Sequence, residues 1–96
     1  MGMDVLVART GDCPISSVLA KLAAAGLSAS VMMVDSGLHA PGAPVPDGWR
    51  DVRLKTPAGA VTLKRRPDGI AVIVFGNADA ALQAAQRTIA DAVREA

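Results

Sequence analysis

A turn-forming tripeptide, Pro67-Asp68-Gly69, constrains the fold of this chain more than any other local feature. Valine and leucine alternate with threonine and lysine before it, and an unbroken apolar run follows it. Proline, aspartate and glycine in succession favour a tight turn, so these segments predict a β-hairpin formed by Ala60–Arg65 and Ile70–Phe75. Because the second segment is apolar throughout, we expect it to be buried on both faces of a sheet.

Apolar residues recur at helical spacing in two other segments. From Ile15 they occur at i, i+3, i+4 and i+7, which predicts a helix over residues 14–25 that starts at a proline and stops at a glycine. A second series runs from Leu82 to Val93, and Asn77 is the expected N-cap of this closing helix. Each helix carries one apolar stripe, which suits a sheet covered by helices.

Three further segments complete the expected order of elements. Val5–Ala8 and residues 29–34 are apolar runs that predict strands on either side of the first helix, the first of them buried on both faces. Residues 52–55 alternate and predict a further extended segment. Residues 35–48 are rich in glycine and proline without periodicity, which indicates either a functional or a mobile loop.

The resulting fold class is α+β, in the order β-α-β-(loop)-β-β-α. We expect a two-layer sandwich in which two helices cover a mixed sheet of four or five strands. Its 96 residues suit a single domain spanning residues 1–96. A ferredoxin-like α+β arrangement is the alternative.

Composition excludes several classes of protein. With 51% hydrophobic and 20% charged residues the chain is globular, and its net charge of +1 selects no class of partner. Its single cysteine excludes an internal disulfide and a cysteine-based zinc site within one chain. We expect no membrane-spanning segment and no signal peptide, and therefore a cytoplasmic protein. We also expect no bound metal.

The tetrapeptide Cys13-Pro14-Ile15-Ser16 lies where the first strand leads into the first helix. Unpaired N–H groups and the positive end of the helix dipole favour a thiolate at such a position, and the hydroxyl of Ser16 can donate to the sulfur. A thiolate is the nucleophile of disulfide exchange. The alternative is a cysteine with a packing or capping role, since free cysteines are among the most buried residues.

This tetrapeptide resembles the Cys-Pro-x-Cys and Cys-x-x-Ser turns of the glutaredoxin and thioredoxin family, which follow a buried strand and open the first helix. Thr56-Pro57 is similar to the pair whose cis proline faces the active-site cysteine in that family, directly before a hairpin. Residues 76–79 are partly similar to the family's segment that begins the last helix and holds the γ-glutamyl group of glutathione. The order of elements resembles that of the family over most of the chain, whereas the matching motifs comprise about ten residues.

The resemblance implies a thioredoxin-like fold and a small monothiol protein that exchanges disulfides or carries glutathione. It implies no resident cofactor, and glutathione or a protein disulfide as the reaction partner. The residues that it assigns are Cys13 and Ser16 for catalysis, and Thr56, Pro57, Asn77 and Asp79 for substrate binding.

A basic stripe supports a different function. Alternation puts Arg53 and Lys55 on one face of an extended segment, and Lys64 and Arg66 can share a face of the predicted hairpin. Such a stripe could meet phosphates or an acidic partner. The alternative is a solvated hairpin surface that protects an edge strand. Because the only aromatic residues are Trp49 and Phe75, stacking platforms for a nucleic acid are scarce.

The rival function is therefore a non-catalytic binding or regulatory module that uses the basic hairpin and the 35–48 loop to recognise a protein, a small ligand or an acidic surface. Whether the protein is an enzyme depends on the chemistry of Cys13. A reactive thiol would indicate exchange, and an inert one would indicate the binding module.

Overall fold

The computed structural model describes residues 3–9, 13–40, 43–46, 48–75 and 79–96. Within these ranges a six-stranded sheet packs against two helices, so the chain is an α+β protein as predicted. The helices are α1 (Ile15–Ala24) and α2 (Ala80–Glu95). The strands are β1 (Met3–Val7), β2 (Ser30–Val34), β3 (Gly37–Leu38), β4 (Asp51–Thr56), β5 (Gly59–Arg66) and β6 (Gly69–Val74).

The strands are ordered β1-β6-β5-β4-β2-β3, and every neighbouring pair is antiparallel. The predicted mixed sheet of four or five strands is therefore wrong. Two tight connections, after Thr56 and after Arg66, join β4, β5 and β6 into an antiparallel meander. This meander separates β1 from β2, so these two strands run in the same direction without pairing.

The predicted hairpin is confirmed, because β5 pairs with β6 from Thr62–Ile73 to Arg66–Gly69. Every residue of β6 is buried, as predicted, but Phe75, which the prediction placed in the same buried strand, lies beyond β6 and is 58% exposed. The extended segment predicted at residues 52–55 lies within β4.

Burial of β1 on both faces is wrong. Val7 is 1% exposed, whereas Leu6 is 46% exposed. The physical reason is that both helices lie on the same side of the sheet, so alternate residues of this edge strand face solvent.

Within its described residues, the 35–48 loop contains one short strand, β3. Asp35 and Ser36 have positive φ angles of 49° and 68°, which fold β3 back onto β2. The side chain of Asp35 holds this turn against the start of β4, because its Oδ1 accepts the backbone N–H groups of Arg50 at 2.7 Å and Asp51 at 3.0 Å. These hydrogen bonds lower the pKa of Asp35.

Both predicted helices are present. In α1 the apolar stripe from Ile15 to Leu22 faces the core. The N-cap of α2 is Asp79, whose Oδ1 accepts the backbone N–H of Leu82 at 2.9 Å. This corrects the assignment of the cap to Asn77, which lies outside the described residues.

The core lies between the sheet and the two helices. Its largest fully buried side chains are Trp49, Leu22, Leu54, Leu63 and Ile89. Among the described residues, two polar side chains are buried, Thr56 and Gln86. Gln86 of α2 donates from Nε2 to the carbonyl of Val72 at 2.9 Å. Over the described ranges, neither helix is long and apolar enough to cross a membrane.

Candidate functional sites

Cys13 lies in the core where the chain enters α1. It is 1% exposed, and its backbone carbonyl accepts a hydrogen bond of 3.0 Å from Nε1 of the buried Trp49. Ser16, in the first turn of α1, is exposed. The structure therefore places the two predicted catalytic side chains in different environments, one in the core and one in solvent.

Burial raises the pKa of the Cys13 thiol, while the charges of Arg9 and Arg65 act in the opposite direction without reversing the shift. The guanidinium carbon of Arg65 lies 4.5 Å from the centre of the Trp49 ring, and Nη1 of Arg9 donates to the carbonyl of Val93 at 2.9 Å. The environment of Cys13 therefore disfavours the thiolate that a helix start would favour, and a catalytic role for this residue stays a prediction.

Three of the predicted substrate-binding residues, Thr56, Pro57 and Asp79, are described by the structure, and they lie at the end of the sheet away from Cys13. Oγ1 of Thr56 donates to the carbonyl of Gly59 at 2.8 Å and accepts the N–H of Ala58 at 3.2 Å, so this side chain stabilises the turn from β4 to β5. Pro57 is exposed in the same turn, and no cis peptide bond occurs in the described chain.

The N-terminus of α2 lies beside this turn, because the side chain of Leu82 is next to Gly59. Asp79, the cap of α2, is therefore near Thr56 and Pro57. The six-residue strand β4 separates this end from Trp49 and Cys13 by roughly 17–20 Å, at about 3.3 Å for each residue. The structure does not bring Thr56, Pro57 and Asp79 to Cys13, and Asn77 lies outside the described residues.

All four residues of the predicted basic stripe share one surface. We call it the outer sheet face: the side of the six strands turned away from the helices. Lys64 lies opposite Asp51 across β4 and β5, and Arg53 lies opposite Thr62. The four stripe side chains are all exposed on this face: Arg53, Lys55, Lys64 and Arg66.

The outer sheet face also has an apolar floor that the sequence analysis missed. Ala71 and Ile73 of β6 belong to it by register, and they are 1% and 6% exposed although no helix covers them. Longer side chains on the flanking strands shield them, Leu6 and Lys64 beside Ala71 in particular. Phe75, directly after β6, is 58% exposed.

A cleft of about 220 Å³ lies in the outer sheet face, between this floor and the cations. Ile73 and Phe75 line it together with Met33, Arg53 and Lys64. The alternation of side chains along a strand could have identified this cleft from the sequence. In an antiparallel pair, every second residue of the apolar run 70–75 must share a face with every second residue of the basic segment.

Cations dominate the charge of the outer sheet face. Its acidic members are Asp4 and Asp51, so four cations stand against two carboxylates. Arg66 approaches Asp4 at 3.5 Å, but both side chains are nearly half exposed, and such a pair adds little stability. The face therefore has an excess of positive charge around apolar surface.

Among the described residues, no three His, Cys, Asp or Glu side chains are grouped in a way that could hold a metal ion. No protein-family model, curated protein or solved structure matches this chain. The geometry of the outer sheet face and of Cys13 is what bears on function.

Proposed function

We propose that this protein is a non-catalytic binding module whose outer sheet face binds an acidic protein segment that also carries apolar side chains. One observation supports the proposal above all others. The predicted cations and the apolar floor occupy the same helix-free face of the sheet, with a cleft between them.

Charge and shape both favour such a partner. Arg53 and Lys64 flank a cleft that suits one or two apolar side chains, and Phe75 would bury its exposed ring against them. Carboxylates on either side of the inserted side chain would then meet the surrounding cations. An apolar patch rimmed by polar residues is typical of a protein interaction site.

A nucleic acid fits the same face less well. Asp4 and Asp51, the second of which lines the cleft, lie among the cations. A continuous line of phosphates would meet these carboxylates, whereas a peptide can place uncharged residues opposite them. Phe75 is the only exposed aromatic side chain in the described chain, so successive bases would lack stacking partners.

The burial of Cys13 supports a non-catalytic function, because attack on a disulfide requires an accessible thiolate. Thiol–disulfide exchange or glutathione binding on a thioredoxin-like fold stays a prediction of the sequence resemblance. It would require Cys13 to become exposed and Thr56, Pro57 and Asp79 to approach it from the far end of the sheet.

The test is binding of a fluorescein-labelled peptide that alternates glutamate with leucine, followed by fluorescence anisotropy at low and at physiological ionic strength. The variant Arg53→Glu/Lys64→Glu/Arg66→Glu reverses three cations of the outer sheet face, and we expect it to weaken binding by at least about tenfold, or about 1.4 kcal/mol. Added salt should weaken binding to the wild-type protein.

The matched control reverses three exposed cations of the helical layer, as Lys21→Glu/Arg87→Glu/Arg94→Glu. This control changes the net charge by the same amount. If it binds the peptide as tightly as the wild-type protein does, the weaker binding of the first variant is assigned to the outer sheet face. Equal losses in both variants, or affinity independent of salt, would contradict the proposal. So would tighter binding of a single-stranded oligonucleotide than of the acidic peptide.

A further inference from the structure

The positive charge of the outer sheet face is unevenly distributed. Lys64 has Asp51, which also lines the cleft, as its neighbour across β4 and β5. Arg66 approaches Asp4 at 3.5 Å. Each of these two cations therefore lies near a carboxylate that offsets part of its charge. The excess positive charge of the face must come from its other two cations, which both belong to β4.

These two cations, Arg53 and Lys55, have only uncharged neighbours across the strands. Arg53 lies between Met33 of β2 and Thr62 of β5. Lys55 lies between a serine and an alanine on the same two strands. In the part of the chain that the structure describes, neither cation forms an ion pair. An acidic partner would therefore gain most from carboxylates placed at these two side chains.

A shallow depression follows β5 beside the two cations, and we call it the β5 trough. Its floor consists of Ala60 and Thr62, whose side chains share the outer sheet face because they lie opposite Lys55 and Arg53. Phe75 forms the far wall, since it lines the cleft together with Thr62 and is 58% exposed. The β5 trough therefore has a cationic wall on one side and an apolar wall on the other.

The width of the β5 trough limits the conformation of a bound segment. Its walls belong to β4 and to the residue after β6, and these strands are the two neighbours of β5, so the walls are roughly 9.5 Å apart at the backbone. A helix with its side chains is about 10–12 Å across and would rest on top of the walls. An extended chain parallel to β5 fits between them and directs alternate side chains to opposite walls.

The spacing of the cations fits the same conformation. Arg53 and Lys55 are two residues apart in β4, and carboxylates on every second residue of an extended segment have the same separation, about 6.6–6.8 Å. The side chain between those carboxylates points to the apolar wall. Phe75 supplies the accessible surface there, because Ile73 also lines the cleft but is only 6% exposed.

We propose, on the basis of the function proposed above, that the acidic partner binds as an extended segment aligned with β5, in which acidic and apolar residues alternate. Carboxylates two residues apart contact Arg53 and Lys55, and the apolar side chain between them packs against Phe75. The conformation and the sequence pattern of the partner are thereby specified, in addition to its charge.

Two fluorescein-labelled peptides of identical composition test the conformation. One contains four glutamates and four leucines in strict alternation. The other has the order leucine-glutamate-glutamate-leucine twice, which places the leucines on one face of a helix. In fluorescence anisotropy with the whole protein, we expect the alternating peptide to bind at least about tenfold more tightly.

Equal affinity for the two peptides, or tighter binding of the helical one, would overturn the extended conformation and leave the proposed function intact. If neither peptide binds, the proposed function is itself overturned, and the extended segment with it.

Two double variants with the same change of charge test the position of the segment. Arg53→Gln/Lys55→Gln removes both cations of the β5 trough, and we expect it to weaken binding of the alternating peptide by at least about tenfold. The matched control Lys64→Gln/Arg66→Gln removes the two cations that lie near carboxylates, and it should weaken binding by less than about threefold. Equal losses would overturn placement in the β5 trough, whereas the triple charge reversal would still weaken binding.

Discussion

The indole nitrogen of Trp49 donates a hydrogen bond of 3.0 Å to the backbone carbonyl of Cys13, 36 residues earlier in the chain. This bond joins the start of α1 to the segment that enters β4. Arg65 stacks on the same ring at 4.5 Å. The residue that the sequence suggested as a nucleophile is thereby part of a buried packing cluster.

Trp49→Phe should destabilise the protein by about 1–3 kcal/mol, because it leaves the buried carbonyl of Cys13 without this donor. Urea unfolding followed by circular dichroism measures the change without relying on tryptophan fluorescence. Phe75→Leu is the control, since an exposed ring should alter stability by no more than about 0.5 kcal/mol. Equal effects of the two substitutions would show that the hydrogen bond is unimportant.

Cys13 should react slowly with iodoacetamide in the native protein, at least about tenfold more slowly than in denaturant, because its side chain is 1% exposed. Mass spectrometry of timed samples gives both rates. Fast modification of the native protein with a midpoint below about pH 8.5 would instead indicate a reactive thiolate. Loss of glutathione exchange in Cys13→Ser, with the fold intact, would then establish the thiol function.

The raised pKa of Cys13 also predicts a pH dependence of stability. The unfolded thiol ionises at about pH 8.5, while the buried thiol holds its proton to higher pH. The stability that this pKa difference contributes is therefore fully present below about pH 8.5, and it is lost as the pH rises through the pKa of the folded protein. The free energy of unfolding should fall more steeply above about pH 8.5 for the wild-type protein than for Cys13→Ala. Parallel curves for the two proteins would rule out a role for Cys13 in the alkaline transition.

Gly69→Ala should be severely destabilising. Gly69 has a φ of 155°, and a Cβ at this position would overlap the backbone carbonyl of Val7, so β1 and β6 would have to separate locally. Gly26→Ala is the comparison, because Gly26 also has a positive φ but nothing lies within 4 Å of its Cβ position. We expect about 1 kcal/mol for Gly26→Ala and clearly more for Gly69→Ala in thermal unfolding. Similar losses would show that backbone strain alone explains both.

Asp79→Ala should cost about 1 kcal/mol of stability, because Asp79 caps α2 through the N–H of Leu82. Asp79→Asn keeps a side-chain oxygen at the cap and should restore most of the loss. Chemical denaturation of the three proteins tests this order. Unchanged stability of Asp79→Ala, together with lost glutathione binding, would favour the ligand-binding role implied by the sequence resemblance.

The local elements could be predicted from the sequence because their signals involve neighbouring residues. Helix α1 follows from the spacing of Ile15 to Leu22 between a proline and a glycine. The β5–β6 hairpin follows from alternation on one side of Pro67-Asp68-Gly69 and an apolar run on the other. Alternation likewise pairs Arg53 with Lys55 in β4 and Lys64 with Arg66 in β5, whereas the register between these strands places both pairs on the outer sheet face.

The tertiary structure decided which strands pair and which face the helices cover, because both depend on contacts between distant parts of the chain. Pairing of β1 with β6 leaves Leu6 exposed and brings the floor at Ile73 beneath the cations. The environment of Cys13 was decided in the same way. A helix start favours a thiolate locally, but burial of Cys13 in the core, where distant segments meet, raises the pKa of its thiol.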